Sequence, residues 1–169
     1  MKKVLLAFVG LFVITSCIAK GIDNSTVKTF DLHRFLGCWY EVARYDHWFE
    51  RGMENTKSTY KLRKDGKIDV LNTGIKNGKP KESTGKVKTT DTAGLLRISF
   101  FGPFYSDYRI MLFDANYQYA LIGSGSDDYL WVLSRKPQLT EESKSIILKE
   151  AVRRGYDTSK LIWVKQDTR

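Results

Sequence analysis

The stretch FLGCWYEVARY, residues 35–45, decides the fold. A glycine, a cysteine and a tryptophan open a run that alternates in polarity, as one strand with a buried face would. Gly37 allows a sharp turn into that strand, and the parity of Trp39, Glu41, Ala43 and Tyr45 assigns these four side chains to one face.

Outward from this run the chain repeats the pattern. STYKL ends in RKDG, IDVLNTG in IKNGKP, TGKVKTT in DTAG, LLRISFF in GPFYSD, YRIMLF in DANYQ, YALIG in SGSDD, and YLWVLS in RKP. With CWYEVARY these make eight short strands, and Gly, Asn, Asp or Pro stands in most joints. Short joints between successive strands favour an antiparallel meander, and eight such strands close into an up-and-down barrel that leaves no unpaired edge. The fold class is therefore all-β. LTEESKSIILKEAVRRGYD breaks the pattern and reads as one α-helix, with Thr140 as N-cap, Glu141 and Glu142 in the first turn, and Ile147, Leu148, Ala151 and Val152 as its apolar stripe. It is expected to pack outside the barrel, followed by a short ninth strand in LIWVKQ.

Charged residues are kept to one parity in several strands, which assigns the other parity to the lumen. The resulting lumen set is Glu41, Ala43, Tyr45, Ser58, Tyr60, Val70, Asn72, Val87, Ile98, Phe100, Tyr108, Ile110, Tyr129 and Trp131. It is apolar and aromatic, and small residues (Ala43, Ser58, Gly85) lie among the large ones. Two readings stand open: a cavity for one ligand, or a packed core with some Ser and Gly in it. Glu41 is either a polar contact for a ligand or a structural hydrogen-bond partner of a lumen tyrosine such as Tyr129.

The amino terminus reads as separate from this domain. MKK is a basic n-region and Val4–Ile14 is an apolar run of 11 residues, the length of a signal-peptide h-region. Ile14-Thr15-Ser16-Cys17 resembles a lipobox, which implies diacylglycerol on the Cys17 sulfur and cleavage before it. The chain thus divides into a signal peptide (1–16), a lipidated tether (17–29) and the barrel domain (30–169). Without residues 1–16 the chain has 26 basic and 19 acidic residues, since 28 less Lys2 and Lys3 is 26, a net charge of +7. These cations are scattered, and an exported protein rarely meets nucleic acid, so no nucleic-acid partner is expected. With Cys17 acylated, Cys38 has no partner for a disulfide. No metal-ligand spacing and no cofactor motif is present.

FLGCWYEVARYDHWFERGMENTKSTYKL resembles the first motif of lipocalins, with Gly37-x-Trp39. FFGPFYSDY (Phe100–Tyr108) and DDYLWVLSRKP (Asp127–Pro137) are similar to the bacterial outer-membrane lipocalins and their relatives, apolipoprotein D and the plant temperature-induced lipocalins. The resemblance runs from Leu32 to Gln166. It implies that Arg135 packs over Trp39 to close the barrel floor. It also implies that Phe113-Asp114 opens an imperfect second motif in which Tyr117 takes the first tyrosine's place. The joints DHWFERGMEN, IKNGKP, GPFYSD and SGSDD would then surround the mouth, with Trp48, Phe49, Phe101, Phe104 and Tyr105 at the entrance, where they fit contact with lipid, a ligand tail or a second subunit in a homodimer. The function implied is a binding protein, not an enzyme. It would be anchored in the bacterial envelope at the outer membrane and take a fatty acid or lysophospholipid. The alternatives are a cysteine-dependent lipocalin enzyme and an interaction protein with a vestigial cavity. Cys38 has the parity opposite to Trp39 and is expected to face outward.

Overall fold

The computed structural model describes residues 21–167. Cys17, the expected signal peptide and the first residues of the expected tether lie outside that range.

Eight strands form a closed antiparallel barrel: β1 (Gly37–Arg44), β2 (Met53–Leu62), β3 (Ile68–Lys76), β4 (Lys79–Thr89), β5 (Leu95–Phe101), β6 (Phe104–Phe113), β7 (Tyr119–Gly123) and β8 (Leu130–Ser134). Each pairs with its sequence neighbour, and β1 closes the ring by pairing with both β2 and β8. The short helix α1 (Leu32–Phe35) plugs the floor, and α2 (Glu141–Arg153) lies outside. The expected ninth strand shrinks to β9, Ile162–Trp163, paired to the far end of β1.

The register explains this shortening. β1 pairs with β2 only over Gly37–Tyr40 and then diverges. The carboxy-terminal segment bridges the gap: Val164 N–H donates to the Val42 carbonyl, Asn55 N–H to the Lys165 carbonyl, and Gln166 Nε2 to the carbonyls of Glu41 and Thr56. These bonds satisfy backbone groups that the splayed strands would leave bare.

Several strands run past their expected ends at the mouth. β4 begins at Lys79 and β6 at Phe104. The added residues, KPKES above all, are exposed and carry no apolar alternation, because they extend beyond the core. IKNGKP closes as a two-residue hairpin in which Asn77 and Gly78 both have positive φ, 52° and 71°, the pattern that suits the twist of a hairpin.

Two apolar clusters result. The lumen holds Phe35, Trp39, Tyr60, Ile68, Val70, Val87, Leu96, Tyr108, Ile110, Tyr117, Ala120, Ile122 and Leu133. The second lies between the barrel wall and α2, and buries Val42, Met111, Leu121, Val132, Ile147, Ala151 and Tyr156. Thr140 caps α2 by accepting from Ser143 N–H. Ile147 and Ala151 are buried as the stripe requires, but Val152 is 59% exposed and lies off it.

The first nine described residues are not a loose tether. Asp23 N–H donates to the Arg154 carbonyl, Asn24 Nδ2 to the Ser124 carbonyl, and Val27 N–H to the Ile110 carbonyl. Arg154 clamps this strap with Nη1 on the carbonyls of Asp23 and Ser25 and Nη2 on the Met111 carbonyl. The residues 17–29 therefore divide into a strap that belongs to the barrel and a short remainder that precedes it.

Candidate functional site

The floor is built from the opening motif. Gly37 has φ +94°, a conformation open to glycine, and it turns the chain from α1 into β1. This sets Trp39 inward, fully buried, with its indole N–H donating 2.7 Å to the Phe35 carbonyl. The Arg135 guanidinium lies 3.8 Å over the Trp39 ring, a contact of about 1–2 kcal/mol when desolvated. Its nitrogens donate to the carbonyls of Cys38, Arg34, Leu36 and Tyr117 at 2.7–3.2 Å. One side chain thus ties α1, β1, the β6–β7 joint and the end of β8 together. Tyr117 sits in that joint with φ 56°, buried, its hydroxyl accepting from Asp31 N–H. Asp114 holds the turn by accepting from the N–H groups of Asn116, Gln118 and Tyr119.

Above the floor the lumen is packed with aromatics. Tyr60 donates to Tyr108 at 2.7 Å. Val70, Val87 and Ile110 fill the wall. Towards the mouth, Ser58, Asn72, Ile98, Phe100 and Trp131 are only half-buried, and the Asn72 Oδ1 atom is buried without a partner. The lumen is therefore graded: closed and apolar below, partly open and mixed above.

Ala43 and Tyr45 do not face the lumen. A bulge between Glu41 and Ala43 breaks the parity of β1, so both side chains join the cluster against α2. The Tyr45 hydroxyl donates to the Asp157 carbonyl outside the barrel. The space expected at Gly85 is also taken. A Cβ there would meet the Ser99 carbonyl oxygen at 2.8 Å and the Phe100 ring at 2.9 Å, so the glycine seats that ring against the wall. Small residues consequently do not mark the free volume. Two open surface concavities, about 440 and 400 Å3, lie outside the lumen, one beside Tyr40, Lys57 and Asp167 and the other beside Tyr45, Asp127 and Lys160.

The same bulge turns Arg44 inward, and parity alone misses it. Arg44 is 2% exposed and donates 2.7 Å to Glu41 Oε1, with Nη2 on the carbonyls of Glu50 and Met53. Thr56 donates to the same Glu41 oxygen, and Trp131 Nε1 donates to Glu50 Oε2 at 3.0 Å. Glu41 is thus held by Arg44 and Thr56, not by Tyr129. Burial and the neighbouring Glu50 carboxyl push Glu41 up to about 8, against the pull of Arg44; burial likewise raises Glu50. One guanidinium cannot neutralise two carboxylates, one buried and one half-buried, so the pair retains a proton. The signal for this cluster was present in the sequence: an inward Glu41 needs a counter-charge, and Arg44 is three residues away.

Tyr129 stands at the rim. It stacks on the buried His47 ring at 4.9 Å, and His47 also meets Phe49 at 5.3 Å and Trp131 at 4.8 Å. Burial and the Arg44 charge lower His47 to about 4, so its ring is neutral in this stack. Cys38 is a free thiol and exposed on the outer face. Among the described residues no group of three or more His, Cys, Asp and Glu side chains is placed to hold a metal.

Comparison with known proteins agrees with this geometry. A family profile described as "Lipocalin-like domain" matches residues 30–166. The chain is 42% identical to the outer membrane lipoprotein Blc of Escherichia coli K12 over 168 residues, covering 95% of this chain and 94% of that protein. It is 37% identical to temperature-induced lipocalin-1 of Arabidopsis thaliana over 82% of this chain and 81% of that one. Among solved structures, insecticyanin from the tobacco hornworm superposes with a TM-score of 0.71 at 21% identity, over 88% and 87% of the two chains.

Proposed function

The chain belongs to the lipocalin family, and from that premise we propose that it is an envelope lipoprotein, anchored at the outer membrane through Cys17, that holds one single-tailed lipid in its barrel. The observation that carries this reading is the graded lumen. The acyl chain enters among Ile98, Phe100 and Trp131, where apolar burial contributes about 25 cal/mol per Å2. The head group stays near the mouth and in reach of water, because the lumen below is apolar and packed and offers a buried carboxylate no partner. Fatty acids and lysophospholipids are the ligand class, and binding rather than catalysis is the activity. An exposed Cys38, with no histidine beside it among the contacts described, gives no support to a thiol enzyme.

Native mass spectrometry of the delipidated protein tests this. A single fatty acid or lysophospholipid should bind per barrel, and Phe100→Glu should weaken binding about tenfold or more by placing a charge along the tail. Absence of binding to either class would sink the proposal.

A further inference from the structure

The strap and the mouth joints share a direction. From the floor, where Asp31 caps α1, the chain passes Val27 on Ile110 and reaches Asn24 at the Ser124 carbonyl, in the β7–β8 joint of the mouth. The strap therefore delivers the chain to the mouth end of the barrel. From Gly21 back to Cys17 there are four Cα–Cα steps, a reach of at most about 14 Å. The acylated cysteine assumed in the proposed function must lie within that distance.

The mouth is built unevenly. β7 and β8 have 5 residues each, whereas β2, β4 and β6 have 10, 11 and 10. The long strands raise three joints above the fourth. The β1–β2 joint carries Trp48, 75% exposed, and Phe49; the β5–β6 joint carries Phe101 and Phe104, 78% and 79% exposed. The hairpin between them ends in the exposed Lys79 and Lys81. The exposed acids Asp127 and Asp128 lie on the low β7–β8 joint. Three raised joints thus present aromatics and lysines, the composition of a surface that seats at a lipid–water interface. The His47 stack on Phe49, Tyr129 and Trp131 packs the β1–β2 joint against β8 while Trp48 points outward.

The geometry points to a barrel that stands mouth-down on the membrane carrying its own anchor, with Trp48, Phe101 and Phe104 inserted in the interface and Lys79 and Lys81 on anionic head groups. This rests on the anchor at Cys17. The lumen then opens onto the bilayer, so a lipid tail passes from membrane to barrel without crossing water. A short leash and a sticky rim each favour this pose, and tethering multiplies the weak affinity of the rim through effective concentration.

The acylated protein is reconstituted in phosphatidylethanolamine–phosphatidylglycerol vesicles, with and without phospholipid brominated on its acyl chains. Trp48 emission is isolated by difference from Trp48→Phe, and Trp163 emission, from the barrel side, by difference from Trp163→Phe. Bromolipid should quench most of the Trp48 emission and little of the Trp163 emission, and F101S/F104S, two exposed positions, should reduce the Trp48 quenching by about half or more. Flotation of the protein with Trp48 still quenched by aqueous iodide and untouched by bromolipid overturns the docking and leaves the anchor standing. Failure to float overturns the anchor and the docking with it. Protection of Trp48 that rises with protein concentration and needs no lipid assigns the rim to a second copy of the chain and also overturns the docking.

Discussion

At the scale of single residues, Arg135 and the Glu41–Glu50 pair hold opposite ends of the barrel. Arg135 was legible as a floor residue only through the family motif; its five carbonyl contacts depend on where α1 and the β6–β7 joint come to rest. Arg135→Ala should lower unfolding free energy by about 2–4 kcal/mol, because it strips several carbonyls of their donor and uncovers an indole. Arg135→Lys should recover part of that loss, since a point charge cannot bridge the same set. Urea denaturation measures both. At the other end the pH dependence has a definite sign. Glu41 is raised from 4.5 to about 8 in the folded protein, so between those values the folded chain binds more protons than the unfolded one. This carboxyl's contribution to stability therefore falls as pH rises from about 4.5 to about 8. Glu41→Gln keeps an oxygen for Arg44 and removes the titration. Melts at pH 5 and pH 8 should show the variant gaining on the wild type at the higher pH; equal differences at both would place no excess proton on the pair.

At the scale of elements, the eight strands, their order and α2 could be read from polarity period and turn residues, because most buried strand segments alternate. Two things could not. The outer ends of β2, β4 and β6 lie beyond the core, where nothing imposes alternation. The β1 bulge shifts parity by one residue without a glycine or proline to announce it, and so moves Ala43 and Tyr45 to the helix side and Arg44 to the lumen. Gly85 illustrates the converse. Its smallness was visible, but the ring it accommodates belongs to β5, beside a second irregularity between Ile98 and Phe101. Gly85→Ala should cost about 1–3 kcal/mol through overpacking. Adding Phe100→Leu should return part of it by relieving the ring contact, while the clash with the Ser99 backbone oxygen persists. A strictly additive double mutant would mean that the glycine and the ring are not coupled.

At the scale of the whole molecule, Arg154 joins three parts that are far apart in sequence: the strap, β6 and the end of α2. It is 7% exposed, and its Nε pairs with Glu150 at 2.7 Å while its other nitrogens hold Asp23, Ser25 and Met111. Arg154→Leu keeps apolar bulk and removes every one of those bonds. The barrel has its own closed ladder and lumen core, so the variant should remain folded and lose about 2–4 kcal/mol. Its effect should concentrate in the strap. The amides of Asp23 and Val27 should exchange faster, and trypsin should gain a cut at Lys28, an exposed residue whose backbone the docked strap holds fixed. Release of the strap also lengthens the leash. With the chain free back to Val27, the ten steps from Cys17 reach about 36 Å in place of about 14 Å. Effective concentration at the rim falls steeply with such a length. Arg154→Leu should therefore weaken bromolipid quenching of Trp48 although every mouth aromatic is intact. A variant that is cut at Lys28 yet keeps its Trp48 quenching would mean that the rim alone holds the barrel on the membrane and the leash contributes nothing.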